Sequence, residues 1–368
     1  MSTASSDVLP DAPPPAGLRP GRRSAVLALA ALTLVVLTAV AAVLPVPYVL
    51  EAPGPTTNTL GSQNGKPLIS ISGRQTYPTQ GALDLVTVLV RGTPSHTLGL
   101  LDALKGWLDP HDAVVPEEEI YPPGQTTQEV QQENAKDMSD SQRNASVAAL
   151  RALGIPVPVT VTVAQVEKGG PSDGALQTGD VVTRVDGTAV TSSDQLRRLV
   201  TEHRPGDTVP LVVRRDGTER TVKVTLGSSS DGGPKRAVIG VLPKDSYDLP
   251  FTVDISLDDV GGPSAGMMFA LGIIDKLTPG ALNGGKHVAG TGTIDPAGTV
   301  GPIGGIPQKM VGARDAGAVL FLAPAENCRE AVANKPDGLQ LAKVSTIQDA
   351  LHALELFRDG KAAQIPGC

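Results

Sequence analysis

An uncharged, almost wholly apolar run extends from Ser24 to Leu44, matching the ~20 helical residues needed to cross a hydrocarbon core. Arg19, Arg22 and Arg23 precede it, and the next basic residue is Lys66. The positive-inside rule therefore places residues 1–23 in the cytoplasm and everything after Leu44 outside, as a single-pass protein of the cell membrane. A cleaved signal peptide is the competing reading, with Val40-Ala41-Ala42 as a loose cleavage site and an unusually long apolar region. Either way the working domains lie outside the cell, where ATP is scarce. No GxxxxGKS/T phosphate loop occurs; Gly284-Gly285-Lys286-His287 lacks both the spaced first glycine and the hydroxyl residue. An ATP-driven machine is not expected.

At 368 residues the chain is long enough for two or three domains. Its net charge of −7, with only 31 basic residues and no basic stripe, argues against nucleic acid as a partner. Two cysteines, Cys328 and Cys368, are too few for a zinc site. Whether they pair in an oxidising compartment stays open at this level. No metal or cofactor is expected. Glu117, Glu118 and Glu119 form a run that reads as solvated charge rather than as a metal cluster.

Residues 1–23 are rich in Pro, Ser and Ala and read as a disordered tail, followed by the transmembrane helix at 24–44. Residues 45–156 read as a small β-rich region, with strands at Leu68–Ser72 and Ala82–Val90, closed by a polar helix from about Thr126 to Leu153. The polarity of that helix predicts a solvated or bridging role. Residues 157–226 carry an apolar strand at Val159–Val166, the sequence GALQTGDVVTRVDGTAV, a helix near Ser193–Glu202 and a strand pair around Arg215-Asp216-Gly217. This segment resembles a PDZ domain of α+β type. The resemblance implies binding of a C-terminal or extended peptide by strand addition, with the carboxylate-binding loop near Leu153–Pro156. A purely structural spacer is the alternative. Residues 227–234 read as a flexible linker, and the last domain spans 235–368.

In that domain, strict alternation from Phe251 to Leu257 predicts a half-buried strand. After a loop, Pro263 suits a first helical turn, so a helix is expected from Ser264 to about Lys276. Ser264 would then sit where free N–H groups and the helix dipole can stabilise an oxyanion. A serine needs a base to take its proton. Pro307 and Gly317 bracket a helix over Gln308–Ala316, with Lys309 in its first turn. Burial and the helix dipole both push a lysine towards its neutral, basic form.

The motifs GGPSAGMMFAL and GTGTIDPAGTVGPIGGIPQKMVGARDAG, followed by FLAP and Asn327, resemble the proteolytic domain of the Lon family. Among its members the chain is most similar to extracytoplasmic ones that couple a PDZ domain to a Lon-type domain behind one membrane helix. The resemblance implies an α/β proteolytic domain, a Ser264–Lys309 dyad, a supporting Thr291 that orients it, protein or peptide substrates and a homo-oligomer. Gly262 is a further supporting residue, since it and Gly261 let substrate backbone approach. They also stand where the family carries an acidic residue and a glycine, leaving the role of the upstream Asp258 and Asp259 open.

Two rival readings remain at this level. GPSAG also fits the GxSxG nucleophile elbow of esterases, which would draw an acid from Asp295 or Asp349 and a base from His287 or His352. Alternatively, the chain is a catalytically degenerate PDZ scaffold.

Overall fold

The computed structural model describes residues 21–229, 234–257 and 260–368. Asp258, Asp259 and the middle of the expected linker, residues 230–233, lie outside the described residues. The chain divides into two compact units: one holds the chain up to Leu50 with Val90–Gly124, the other Glu51–Leu89 with Gln125–Cys368.

In the first unit, the helix Arg22–Val43 is long and apolar enough to cross a membrane. Such a helix fits a single-pass anchor or a signal sequence. Pro45–Val46 then pairs antiparallel with Leu98–Gly99, and the helix Leu100–Leu108 follows directly. A small cluster of Leu50, Leu98 and Ala103 holds these pieces together.

The second unit carries two core regions, the first of them in two layers. The first belongs to a sheet ordered Gln340–Val344, Leu320–Pro324, His287–Gly290, Ala82–Arg91 and Tyr48–Asn58. The first three strands run parallel to one another, and His287–Gly290 is also parallel to Ala82–Arg91. Alternate residues face opposite sides, as the pleat requires. Leu83, Leu85, Val288, Leu320 and Leu322 join the helices Thr127–Ala152, Gly266–Leu277 and Ile347–Arg358 in one core. Val86, Ala289, Phe321 and Ala323 pack with the helix Ile306–Asp315 on the other. Helices on both faces of a largely parallel sheet make this an α/β domain.

This corrects the reading of residues 45–156 as a separate β-rich unit. From Glu51 to Leu89 they supply two strands of this α/β sheet, and Ile69–Ser72 pairs with Thr252–Ile255. Alternation marks a buried face but does not name the partner that covers it. The polar helix is corrected too: Met138, Ser141, Ala145, Ala148 and Ala149 are buried against the core. Small residues at helical spacing let it pack closely despite its polarity.

The second core is the PDZ-like sheet, ordered Thr218–Thr225, Thr208–Arg215, Val181–Val185, Val159–Val166 and Val241–Tyr247. Tight turns close at Asp186-Gly187 and Asp216-Gly217. Buried Asp180 holds Arg215 through two bonds of 2.7 Å, and this guanidinium keeps its carboxyl below the ordinary range. The last strand extends the domain past the expected boundary at 226 to Tyr247, shortening the last segment that begins after it.

Candidate active site

The loop that carries Ser264 is held from three directions. Gly262 adopts φ +81°, a left-handed conformation that a side chain would strain, and its N–H donates to the Asn134 carbonyl at 3.0 Å. The Ser141 hydroxyl donates to the Pro263 carbonyl at 3.0 Å. The Ser264 carbonyl accepts from the Gly292 N–H at 2.8 Å and the Thr291 hydroxyl at 3.1 Å. Thr291 is itself buried, and its N–H donates to the Leu322 carbonyl at 3.2 Å. The expected strand His287–Ile294 is therefore broken at Thr291-Gly292, where the chain leaves the sheet to clip this loop.

Ser264 is half-buried and precedes the helix Gly266–Leu277, whose N-cap is Ala265. The expectation of a helix starting at Ser264 is corrected by two residues: Ser264 and Ala265 form a turn, the Gly266 N–H donating to the Pro263 carbonyl at 3.4 Å, while the Ser264 carbonyl is held by Gly292 and Thr291. No backbone hydrogen bond ends on the N–H of Ser264 or Ala265 among the described residues. Both donors lie at the positive end of the helix dipole.

Lys309 lies in the first turn of the helix Ile306–Asp315, its N–H donating to Gly305 at 3.1 Å. Gly305 has φ +65°, and a Cβ there would meet Val88 Cγ2 at 2.5 Å, so only glycine allows this approach to the sheet. The loop ahead of the helix is pinned by Asn327, whose side chain accepts from the Ile303 N–H at 3.0 Å and donates to the Ile303 carbonyl at 2.9 Å. Asn327 adjoins Cys328, which is disulfide-bonded to Cys368. The lysine helix lies against the strand Tyr48–Asn58, where a Cβ on Gly312 would meet the Gly54 carbonyl at 3.1 Å.

Lys309 is only 4% exposed. Burial pushes its amine down to about 8, while the charge of Glu51 on the neighbouring strand acts to raise it. Glu51 is the charged neighbour of Lys309 that the sequence did not reveal. It stands in an unremarkable strand, and no motif spacing connects it to Lys309. No hydrogen bond joins Ser264 and Lys309 among the described residues; such bonds commonly tighten only when substrate binds.

The groups an esterase would need have other duties. His287 is bound to Asp84, and His352 lies 3.7 Å from Glu355 on an exposed helix face. The Asp295 carboxylate accepts from the N–H groups of Ala297 and Thr299 within its own turn. Asp349 completes the capping box of the last helix.

A second candidate site is a groove of about 700 Å³ on the PDZ-like sheet. It lies between Leu196, Arg197 and Val200 of the helix Ser193–Thr201 and the segment Arg236–Val241, with Gly169–Pro171 nearby. Val241–Tyr247 is the sheet edge beside it. The Ser172 hydroxyl fixes the loop by donating to the Ile239 carbonyl at 2.6 Å, and Asp245 accepts from both the N–H and the hydroxyl of Ser193. The expected peptide-binding loop near Leu153–Pro156 is corrected accordingly: Leu153 and Ile155 pack against the core of the α/β domain.

Comparison with known proteins agrees with this division. Residues 128–226 match the PDZ domain family, and residues 258–356 match the Lon protease C-terminal proteolytic domain. The chain therefore carries a PDZ domain joined to a Lon-type proteolytic domain. The PDZ match begins inside the helix Thr127–Ala152, whose buried residues belong to the proteolytic core. A protein of Ectopseudomonas mendocina named "Probable periplasmic serine endoprotease DegP-like" is 34% identical over 110 residues, 30% of this chain and 21% of that one. Lon protease 2 of Bacillus subtilis is 36% identical over 115 residues, 31% of this chain and 20% of that one. The matches thus span about a fifth of each relative. The solved PDZ domain of an SdrC-like protein from Listeria monocytogenes is 25% identical, covering 23% of this chain and 85% of its own, with a TM-score of 0.21.

Proposed function

We propose that this chain is a membrane-anchored, ATP-independent serine endopeptidase whose nucleophile is Ser264 and whose general base is Lys309. The observation that carries the reading is a lysine 4% exposed, with its amine pushed down to about 8, in the motif expected to supply a base. At pH 7 roughly one molecule in ten then holds Lys309 neutral.

Neutral Lys309 takes the Ser264 proton as Oγ attacks the scissile carbonyl. The Ser264 and Ala265 N–H groups stabilise the oxyanion. The Lys309 ammonium then returns its proton to the leaving amine, leaving an acyl-enzyme. Water, deprotonated by Lys309, attacks the ester, and the proton passes back to Ser264 Oγ as the acid product departs. Thr291 and Gly262 act as positioning residues through the nucleophile loop.

With no GxxxxGKS/T phosphate loop in the sequence, the expected substrates are loosely structured segments, exposed tails and ectodomains near the membrane. The PDZ groove presents them by adding an extended or C-terminal peptide to the edge strand Val241–Tyr247. The active form is a homo-oligomer of the proteolytic domain, its catalytic domain extracytoplasmic and its tail cytoplasmic.

The test compares wild type, Ser264→Ala and Lys309→Ala on secreted and membrane proteins by sequencing new N-termini. Cleavages unique to wild type are expected. Coincident maps from all three proteins would leave the scaffold reading in possession.

A further inference from the structure

The first unit leaves an apolar helix face uncovered. In the helix Leu100–Leu108, Ala103 and Gly106 are buried, and a side chain on Gly106 would collide with Leu50. That fixes which side turns inward. One flank exposes Asp102 and Lys105, which pair at 3.5 Å. The other exposes Leu104, Trp107 and Leu108, at 42%, 67% and 86%. Their spacing of three and four residues puts them on one stripe.

The placement of this stripe identifies what covers it. Leu100 follows strand Leu98–Gly99, which pairs residue for residue with Pro45–Val46 just beyond the apolar helix Arg22–Val43. The Leu100 N–H also donates to the Leu44 carbonyl at 3.1 Å. The short helix is thus tied to the C-terminal end of the candidate span, where hydrocarbon gives way to headgroups. Tryptophan and tyrosine favour that depth, with ring in lipid and polar edge wet. The chain holds one tryptophan and four tyrosines; Trp107, Tyr48 and Tyr121 all fall in this unit. Core on one side, charge on another and an apolar stripe between them make an interfacial helix.

We propose that Leu100–Leu108 lies in the membrane–water interface, with Leu104, Trp107 and Leu108 immersed among lipid headgroups and upper acyl chains. The span and this helix then form a two-point attachment that fixes the orientation of the first unit, which a lone helix leaves free to swivel. The inference rests on the reading of Arg22–Val43 as a membrane span.

Trp107 is the only tryptophan, so its emission reports on this face alone. The full chain is reconstituted into phosphatidylcholine vesicles with acyl chains brominated near the headgroup, brominated deep, or unmodified. Insertion is scored separately by flotation after an alkaline wash. The proposal expects flotation, loss of Trp107 emission with shallow bromines more than with deep ones, and protection from aqueous iodide. Leu104→Ser combined with Leu108→Ser should restore emission against bromine and open the indole to iodide. Flotation with iodide quenching and no bromine quenching overturns the proposal and leaves the anchor intact. Flotation with protection from both quenchers overturns it in favour of a protein surface, a second copy included. Failure to float removes the anchor reading and the proposal together.

Discussion

The PDZ domain and the proteolytic domain solve the folding problem differently. The PDZ core draws its buried residues from one stretch, Val161 to Ile239, and its turns are written in Asp-Gly pairs. The proteolytic core is gathered from Leu60 to Ile365, with the PDZ domain set into the chain between the helix Thr127–Ala152 and the strand Thr252–Ile255. Local signals specify the first; contacts distant in sequence specify the second. The proposed catalytic pair falls in the domain whose parts must be brought from afar.

The largest effect separating the two domains is expected from the disulfide. Closing a 40-residue separation restricts the unfolded chain by about 3–4 kcal/mol. Cys328→Ser with Cys368→Ser should lower the calorimetric transition of the proteolytic domain and leave that of the PDZ domain in place. Equal movement of both transitions would mean that the domains unfold as one body.

A smaller and opposite separation is expected from Arg236, on the groove. Arg236→Glu places a negative charge beside an incoming carboxylate and should weaken binding of an acidic-ended peptide about tenfold. Cleavage of a short unstructured reporter should not change. Titration of a labelled peptide, alongside reporter kinetics, checks both halves.

The smallest effect belongs to Glu51. Its negative charge favours the Lys309 ammonium, so Glu51→Gln should shift the rising limb of kcat/KM towards lower pH, with peptide binding unaffected. A shift towards higher pH would reverse the sign assigned to this residue.

The same contrast explains what could be read in advance. Ser264 and Lys309 stood in motifs whose residue types suit the proposed chemistry, Thr291 was singled out by the family resemblance, and the PDZ strands carried their own punctuation. The support of the Ser264 loop did not. Asn134 acts through its backbone carbonyl, and Ser141 through a hydroxyl buried on a helix that looks solvated. A stripe of Ser and Ala gives no hydrophobic pattern, although its spacing of three and four residues was there to be seen. Glu51 was illegible because only the packing of Gly312 on Gly54 brings its strand beneath the lysine helix.

The most direct test of the central claim is covalent labelling of Ser264 by a fluorophosphonate, followed by mass spectrometry across pH. The neutral form of Lys309 appears as pH rises through about 8. Labelling of Ser264 should therefore rise about tenfold between pH 7 and full deprotonation, and should be lost in Lys309→Met. A rate independent of pH, or undiminished labelling in Lys309→Met, would contradict the assignment of Lys309 as the base.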